Sequence, residues 1–148
     1  MKLYTKKGYT LVEMLIVLML IGIALGTAFY NLKSIDNPVR NAANEIESYL
    51  ILARGKSITN TAYTVITPTT NGLTGVYGSS CTDAAAVPDS QLTYTLPRNV
   101  TFTDTTWRAC ISPRGLYNSN SNIVVRDHTG RTATLEIFIG GAIKTSYN

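Results

Sequence analysis

The chain is 148 residues long, enough for one domain rather than two. With 45% hydrophobic and 15% charged residues it is too apolar to be disordered and poor in charge for a cytosolic enzyme. The formal net charge is +4, but Lys2, Lys6 and Lys7 supply three of those charges, and the remainder is close enough to balance that charge alone gives no ground for nucleic-acid binding.

Residues 14–28 read MLIVLMLIGIALGTA, and the longer run 9–30 carries a single charge, Glu13. A helix rises about 1.5 Å per residue, so roughly 20 residues cross a hydrocarbon core of about 30 Å. The run predicts a membrane span. Lys2, Lys6 and Lys7 stay on the cytoplasmic side by the positive-inside rule, which sends everything after residue 30 outward. A cleaved secretory signal is the ordinary explanation of an N-terminal apolar run. It needs a small-residue cleavage site after the apolar core, whereas Gly8 stands before it. A carboxylate near the start of a membrane segment costs a few kcal/mol, so Glu13 calls for a partner.

Beyond a polar stretch at 31–38, apolar residues recur at Val39, Ala42, Ala43, Ile46, Leu50 and Ala53, the spacing of one face of an amphipathic helix. A helix running from residue 9 to 59 extends about 75 Å, with a kink expected at Pro38, which lacks a backbone donor. Asp36 and Arg40 form an i, i+4 pair in the favourable order. From residue 62 onward, runs of Thr, Val, Ile and Tyr are broken by Gly, Asn, Pro and Ser, the texture of antiparallel strands and turns. Strands are expected at 63–67, 74–77, 92–96, 100–103, 108–111, 123–126, 134–139 and 142–145. Turns at 127–130 and at Gly140 and Gly141 fold the last three into consecutive hairpins. The class is α+β, with one sheet burying its face against the Val39 to Ala53 stripe.

The ordered set Lys6, Lys7, Gly8, Tyr9, Thr10, Leu11, Val12, Glu13, Met14, Leu15 resembles the class III leader and N-terminus of type IV pilins and type II secretion pseudopilins. The resemblance implies removal of residues 1–8 between Gly8 and Tyr9 by a prepilin peptidase, which also N-methylates Tyr9. The family usually has Phe at that place; Tyr keeps the ring. It further implies an inner-membrane subunit with its head in the periplasm, handed by an assembly platform into a pilus or pseudopilus with other pilin subunits. Physically, the Tyr9 amine is a cation at the membrane edge and Glu13 an anion one turn deeper. Between stacked chains the two can neutralise each other and set the register. Residues 9–30 then form the filament core, 31–60 the amphipathic half of the helix and 61–148 the head. Residues 41–59 (NAANEIESYLILARGKSIT), with Ile111, Ser112, Pro113, Arg114 and Gly115 and the closing hairpin at 137–144, are similar to the GspH/FimT subgroup of minor pilins and pseudopilins. Ser57 stands where that pattern has Ala.

Cys81 and Cys110 are too few for a disulfide scaffold or a four-thiolate zinc site. An oxidising compartment makes a Cys81–Cys110 disulfide the expectation, with two separately buried thiols as the alternative. Neither has a Cys or His neighbour at metal spacing, and no cofactor is implied. Asp127 and His128 are adjacent on a turn without a G-x-S-x-G elbow, which gives no triad, and no phosphate-binding or dinucleotide motif occurs. A non-enzymatic role follows. The alternative is a DNA-uptake receptor of the FimT kind. The segment 97–148 holds six cations against Asp104, Asp127 and Glu136, beside Trp107 and Tyr117. Arg114, Arg126 and Arg131 on one exposed face would be the DNA contacts.

Overall fold

The computed structural model describes residues 9–32 and 37–148, and side-chain exposure in the first stretch as far as Leu25. Two compact units meet the eye, residues 1–36 and 37–148. The first contains helix α1 (Leu11–Leu32); the second contains α2 (Pro38–Thr59) and eight strands. In order these are β1 (Tyr63–Thr69), β2 (Gly72–Gly78), β3 (Val87–Thr95), β4 (Val100–Phe102), β5 (Ala109–Ile111), β6 (Ser121–Asp127), β7 (Thr132–Ile137) and β8 (Ile143–Tyr147). Each overlaps a segment expected from the residue pattern, β3 beginning five residues before the expected start at 92.

The expected single helix with a kink is corrected by Asn37. Its backbone is extended (φ −107°, ψ 96°) and its side chain accepts from the Arg40 N–H at 3.2 Å. This is an N-cap followed by proline in the first turn, where the missing donor costs nothing because that position has no intrahelical acceptor. Pro38 therefore opens a helix instead of bending one. Asp36, its expected ion-pair partnership with Arg40, and Gly8 lie outside the described residues.

The strands form two antiparallel sheets, not one. Their orders are β3-β2-β1-β5 and β4-β6-β7-β8. In the second, alternation along β6 and β7 turns Ile123, Val125, Ala133, Leu135 and Ile137 inward. From the first sheet Ile66, Leu73, Leu92, Ala109 and Ile111 join the same core. Helix α2 supplies the third wall: Val39, Ala42, Ala43, Ile46, Leu50 and Ala53 are all buried, as the spacing predicts, and Tyr49 and Ser57 are buried with them. Polar side chains stitch its flanks. Toward β3, Glu45 accepts from the Tyr94 hydroxyl at 2.9 Å and Lys56 pairs with Asp89. Toward β8, Glu47 accepts from Thr145 at 3.1 Å and Asn44 from Tyr147 at 3.0 Å.

The last turns of α2 hold the far end of the head. Arg54 donates to the carbonyls of Gly140 and Gly141, each at 3.3 Å. Its guanidinium fits there because Gly141 (φ +84°) and Gly115 (φ +76°) lack side chains: a Cβ on Gly141 would lie 2.5 Å from Arg54 Cζ, and one on Gly115 2.8 Å from Ile58 Cδ1. Both turns also take the left-handed backbone that glycine adopts at no steric cost. One helical turn on, the Ser57 hydroxyl lies 2.6, 2.9 and 3.1 Å from the carbonyls of Ala62, Ser112 and Ile111. A single proton serves three acceptors that cluster where α2, β1 and β5 converge.

Val65 and Cys110 are paired across β1 and β5, and both are buried without belonging to the core. They point to the outer face of the first sheet. Cys81 bonds Cys110 there, with the Cα atoms 5.7 Å apart, and pins the β2–β3 connection at that face. The alternative of two separate thiols is thereby excluded.

Two outcomes test this framework in denaturant. The double substitution Cys81→Ser, Cys110→Ser is expected to lower the unfolding free energy by about 3 to 4 kcal/mol for a loop of this length. Arg54→Met, which keeps the aliphatic stem but removes the donors, is expected to cost about 2 kcal/mol with an unchanged denaturant slope; a change within error for either variant contradicts the corresponding role.

Candidate functional site

Helix α1 starts from Thr10. Its hydroxyl accepts the Glu13 N–H at 3.2 Å, and its carbonyl accepts from Met14 N. Thr-x-x-Glu is the spacing of a capping box, a signal carried by the local sequence alone. Glu13 thus lies in the first turn, where the free N–H groups of the helix favour negative charge. Its side chain is exposed, as are those of every residue from 9 to 25. Twelve of those from residue 11 to 25 are large and apolar, distributed all round the helix. A helix of that kind is at home only where apolar material surrounds it.

Among the described residues no helix is long and apolar enough to cross a membrane. The described side chains of α1 end at Leu25, and residues 11–25 amount to about 22 Å of helix. The span expected over 9–30 runs past them.

On the head, the three arginines expected to share one face are separated. Arg126 and Arg131 sit at the β6–β7 hairpin end, Arg126 opposite Thr132. Arg114 lines an open groove of about 510 Å³ beside the Cys81–Cys110 bond, with Pro113, Leu116, Tyr117 and Ile139. Tyr117 donates to the Ile139 carbonyl, which places this groove at the opposite end of β6 and β7, about 17 Å along the strands from Arg126. All three are exposed. Arg131 is engaged: its guanidinium pairs with Asp127 Oδ2 at 2.7 Å.

Asp127 is the acid of this hairpin. Its side chain is fully enclosed, and it accepts from the backbone and hydroxyl of Thr129 and from the backbone and guanidinium of Arg131. Burial pushes its carboxyl up; the hydrogen bonds from Thr129 and Arg131 outweigh burial and bring it down to about 2. His128 is an exposed turn residue, and among the described residues no three His, Cys, Asp or Glu side chains gather as metal ligands.

Two comparisons bear on the N-terminus and on the fold. Residues 4–29 match the prokaryotic N-terminal methylation motif. The structure is similar to that of the minor pseudopilin EpsH from the type 2 secretion system of Vibrio cholerae, at 9% identity and a TM-score of 0.54, over 75% of this chain and 98% of that one. The motif match concerns the N-terminal segment, and the structural likeness is one of fold. No curated protein matches the chain. The head shared with EpsH is the α+β arrangement of a helix packed on antiparallel sheets.

The Asp127 cluster has a pH signature. A carboxyl near 3.9 in the unfolded chain and near 2 in the folded one contributes stability that is complete above about pH 4 and is lost as pH falls through about 2. Thermal unfolding is expected to show a drop in midpoint across that window, and Asp127→Asn should flatten it. An identical acid profile in the variant would assign the drop to other groups.

Proposed function

We propose that the chain is a structural subunit, in the minor class, of a type IV pilus or type II secretion pseudopilus, and not a catalyst. The observation that carries this reading is the contrast between α1, whose apolar side chains from residue 11 to 25 are exposed on every side, and a head with a buried core of its own. One part is finished and the other awaits surroundings. The prepilin-type motif supports the same reading.

In this scheme a prepilin peptidase of the inner membrane cuts between Gly8 and Tyr9 and methylates the new amine. The apolar run 9–30 anchors the subunit in lipid with the head outside the cytoplasm. The assembly platform then moves it into a filament, where lipid contacts of Leu15, Leu18, Ile21 and Leu25 are exchanged for those of neighbouring helices. Burying two charges is costly, and the pair is tolerated only if each neutralises the other. Glu13 of one subunit therefore meets the Tyr9 amine of the next, and helices that stack out of register leave both uncompensated. Ile51, Leu52 and Ile58, exposed on the outward side of α2, extend the apolar surface available to neighbours beyond the membrane.

Native protein analysed by intact mass and N-terminal sequencing is expected to begin at methylated Tyr9. Removing one partner of a buried ion pair costs several kcal/mol, so Glu13→Gln should lower the share of the chain recovered in sheared filaments by at least about tenfold. Incorporation equal to that of the wild type would refute the pairing, and a native N-terminus other than Tyr9 would refute the processing.

A further inference from the structure

Charge is distributed unevenly along the head. All seven of its side-chain carboxylates accept hydrogen bonds or ion pairs: Glu45 from Tyr94, Glu47 from Thr145, Asp83 from Ser79, Asp89 from Lys56, Asp104 from Thr106, Asp127 from Arg131 and Glu136 from Lys144. Several arginines, by contrast, face solvent with no carboxylate beside them among the described residues. Three of these gather at the end where α2 begins.

Arg40 lies in the first turn of α2, 5.7 Å from the centre of the Tyr147 ring. Tyr147 pairs with Ala133 in the β7–β8 ladder, and the adjoining Thr132 exchanges backbone hydrogen bonds with Asn148. On the next strand Arg126 pairs with Thr132 on one side and with Thr101 on the other. Thr101 in turn shares a shallow cleft of about 310 Å³ with Arg98, in the β3–β4 connection. Arg40, Arg126 and Arg98 thus lie on successive elements at one end, interleaved with hydroxyl and amide groups. Asp127, the acid of the hairpin tip, is enclosed and neutralised by Arg131. Glu45, a turn and a half further along α2, is turned to Tyr94.

This end is also where the chain arrives from the apolar helix. Residues 33–36 alone separate α1 from the cap of α2, and four residues extend at most about 14 Å. A membrane that holds α1 therefore lies within short reach of the start of α2. We propose that Arg40, Arg98 and Arg126 form a docking face for an anionic lipid surface, which holds the head down on the membrane until the subunit is extracted. The proposal rests on the membrane anchorage put forward above. The phosphate groups of DNA carry the same charge, but a tethered bilayer meets this end at high local concentration, and the three guanidinium groups are dispersed over one end instead of lining a groove.

The test uses the full chain in nanodiscs of phosphatidylcholine with or without phosphatidylglycerol, read by hydrogen exchange. Backbone amides of residues 97–101 and 126–132 are expected to exchange more slowly in the anionic discs, and the difference should vanish at high salt. Arg98→Gln and Arg126→Gln should each reduce it by about fivefold, while Arg114→Gln, at the other end of the head, leaves it unchanged. Equal exchange in both kinds of disc overturns the proposal, as does protection that appears only when a DNA duplex is added, which would assign the face to nucleic acid. Flotation with alkali-washed liposomes separates the two levels. A chain that fails to float refutes the anchor itself, whereas one that floats without lipid-dependent protection refutes only the docking face.

Discussion

The head depends on the burial of one stripe of α2. All strand pairs lie within one sheet or the other, and what the two sheets share is this helix, together with Tyr117, which bridges to Ile111 and donates to the Ile139 carbonyl. Truncating Ile46 or Leu50, both fully buried, would leave a cavity whose cost adds to the lost transfer energy. The small residues of the stripe matter equally. Ala42, Ala43 and Ala53 are fully buried and let the backbone of α2 approach both sheets closely. The polar flanks then choose its orientation, since Glu45 and Lys56 find partners on β3 while Glu47 and Asn44 find theirs on β8.

Helix α1 obeys the opposite constraint. Its apolar residues have no stripe to bury, so no rotation about its axis removes them from water. The capping hydroxyl of Thr10 and the acid in the first turn secure the helix end, but they do nothing for the rest of its length. Folding of this segment is completed by its surroundings, lipid first and other helices afterwards in the assembly proposed above. A carboxylate at the helix start is compatible with both settings, because the helix dipole offsets part of the cost that a bare charge would incur in an apolar medium.

Much of this was legible in the residue pattern for a definite reason. Period 3.6 located every alanine and aliphatic residue of the α2 stripe, and period 2 with turn residues located all eight strands. Local periodicity carries no information on which distant strands pair. Hence the division into two sheets, set by β1 joining β5 and β4 joining β6, was not readable. Tyr49 and Ser57 escaped because each carries a polar atom whose partner is a backbone carbonyl far along the chain, Leu92 for the first and Ile111 for the second. The role of Pro38 depends on Asn37 leaving helical geometry, which the residue pattern does not show. Nor does it show that Arg114 lies at one end of β6 and β7 while Arg126 and Arg131 lie at the other.

The same geometry ties together residues that lie far apart in the chain. Arg54, Gly115 and the pair Gly140 and Gly141 meet in one place: a guanidinium enclosed by two turns that tolerate no Cβ. None of the three is useful without the others, so they form a unit although about 60 and 25 residues of chain lie between them. Ser57 fits the same logic. A methyl group at that site would leave the carbonyls of Ala62, Ile111 and Ser112 without this donor, whereas the hydroxyl supplies it from within the helix. The far end of the head is therefore held by donors from α2 turned inward, Arg54 through its two Nη groups and Ser57 through its hydroxyl, while Arg114 stays exposed at that end and Arg40, Arg98 and Arg126 at the other.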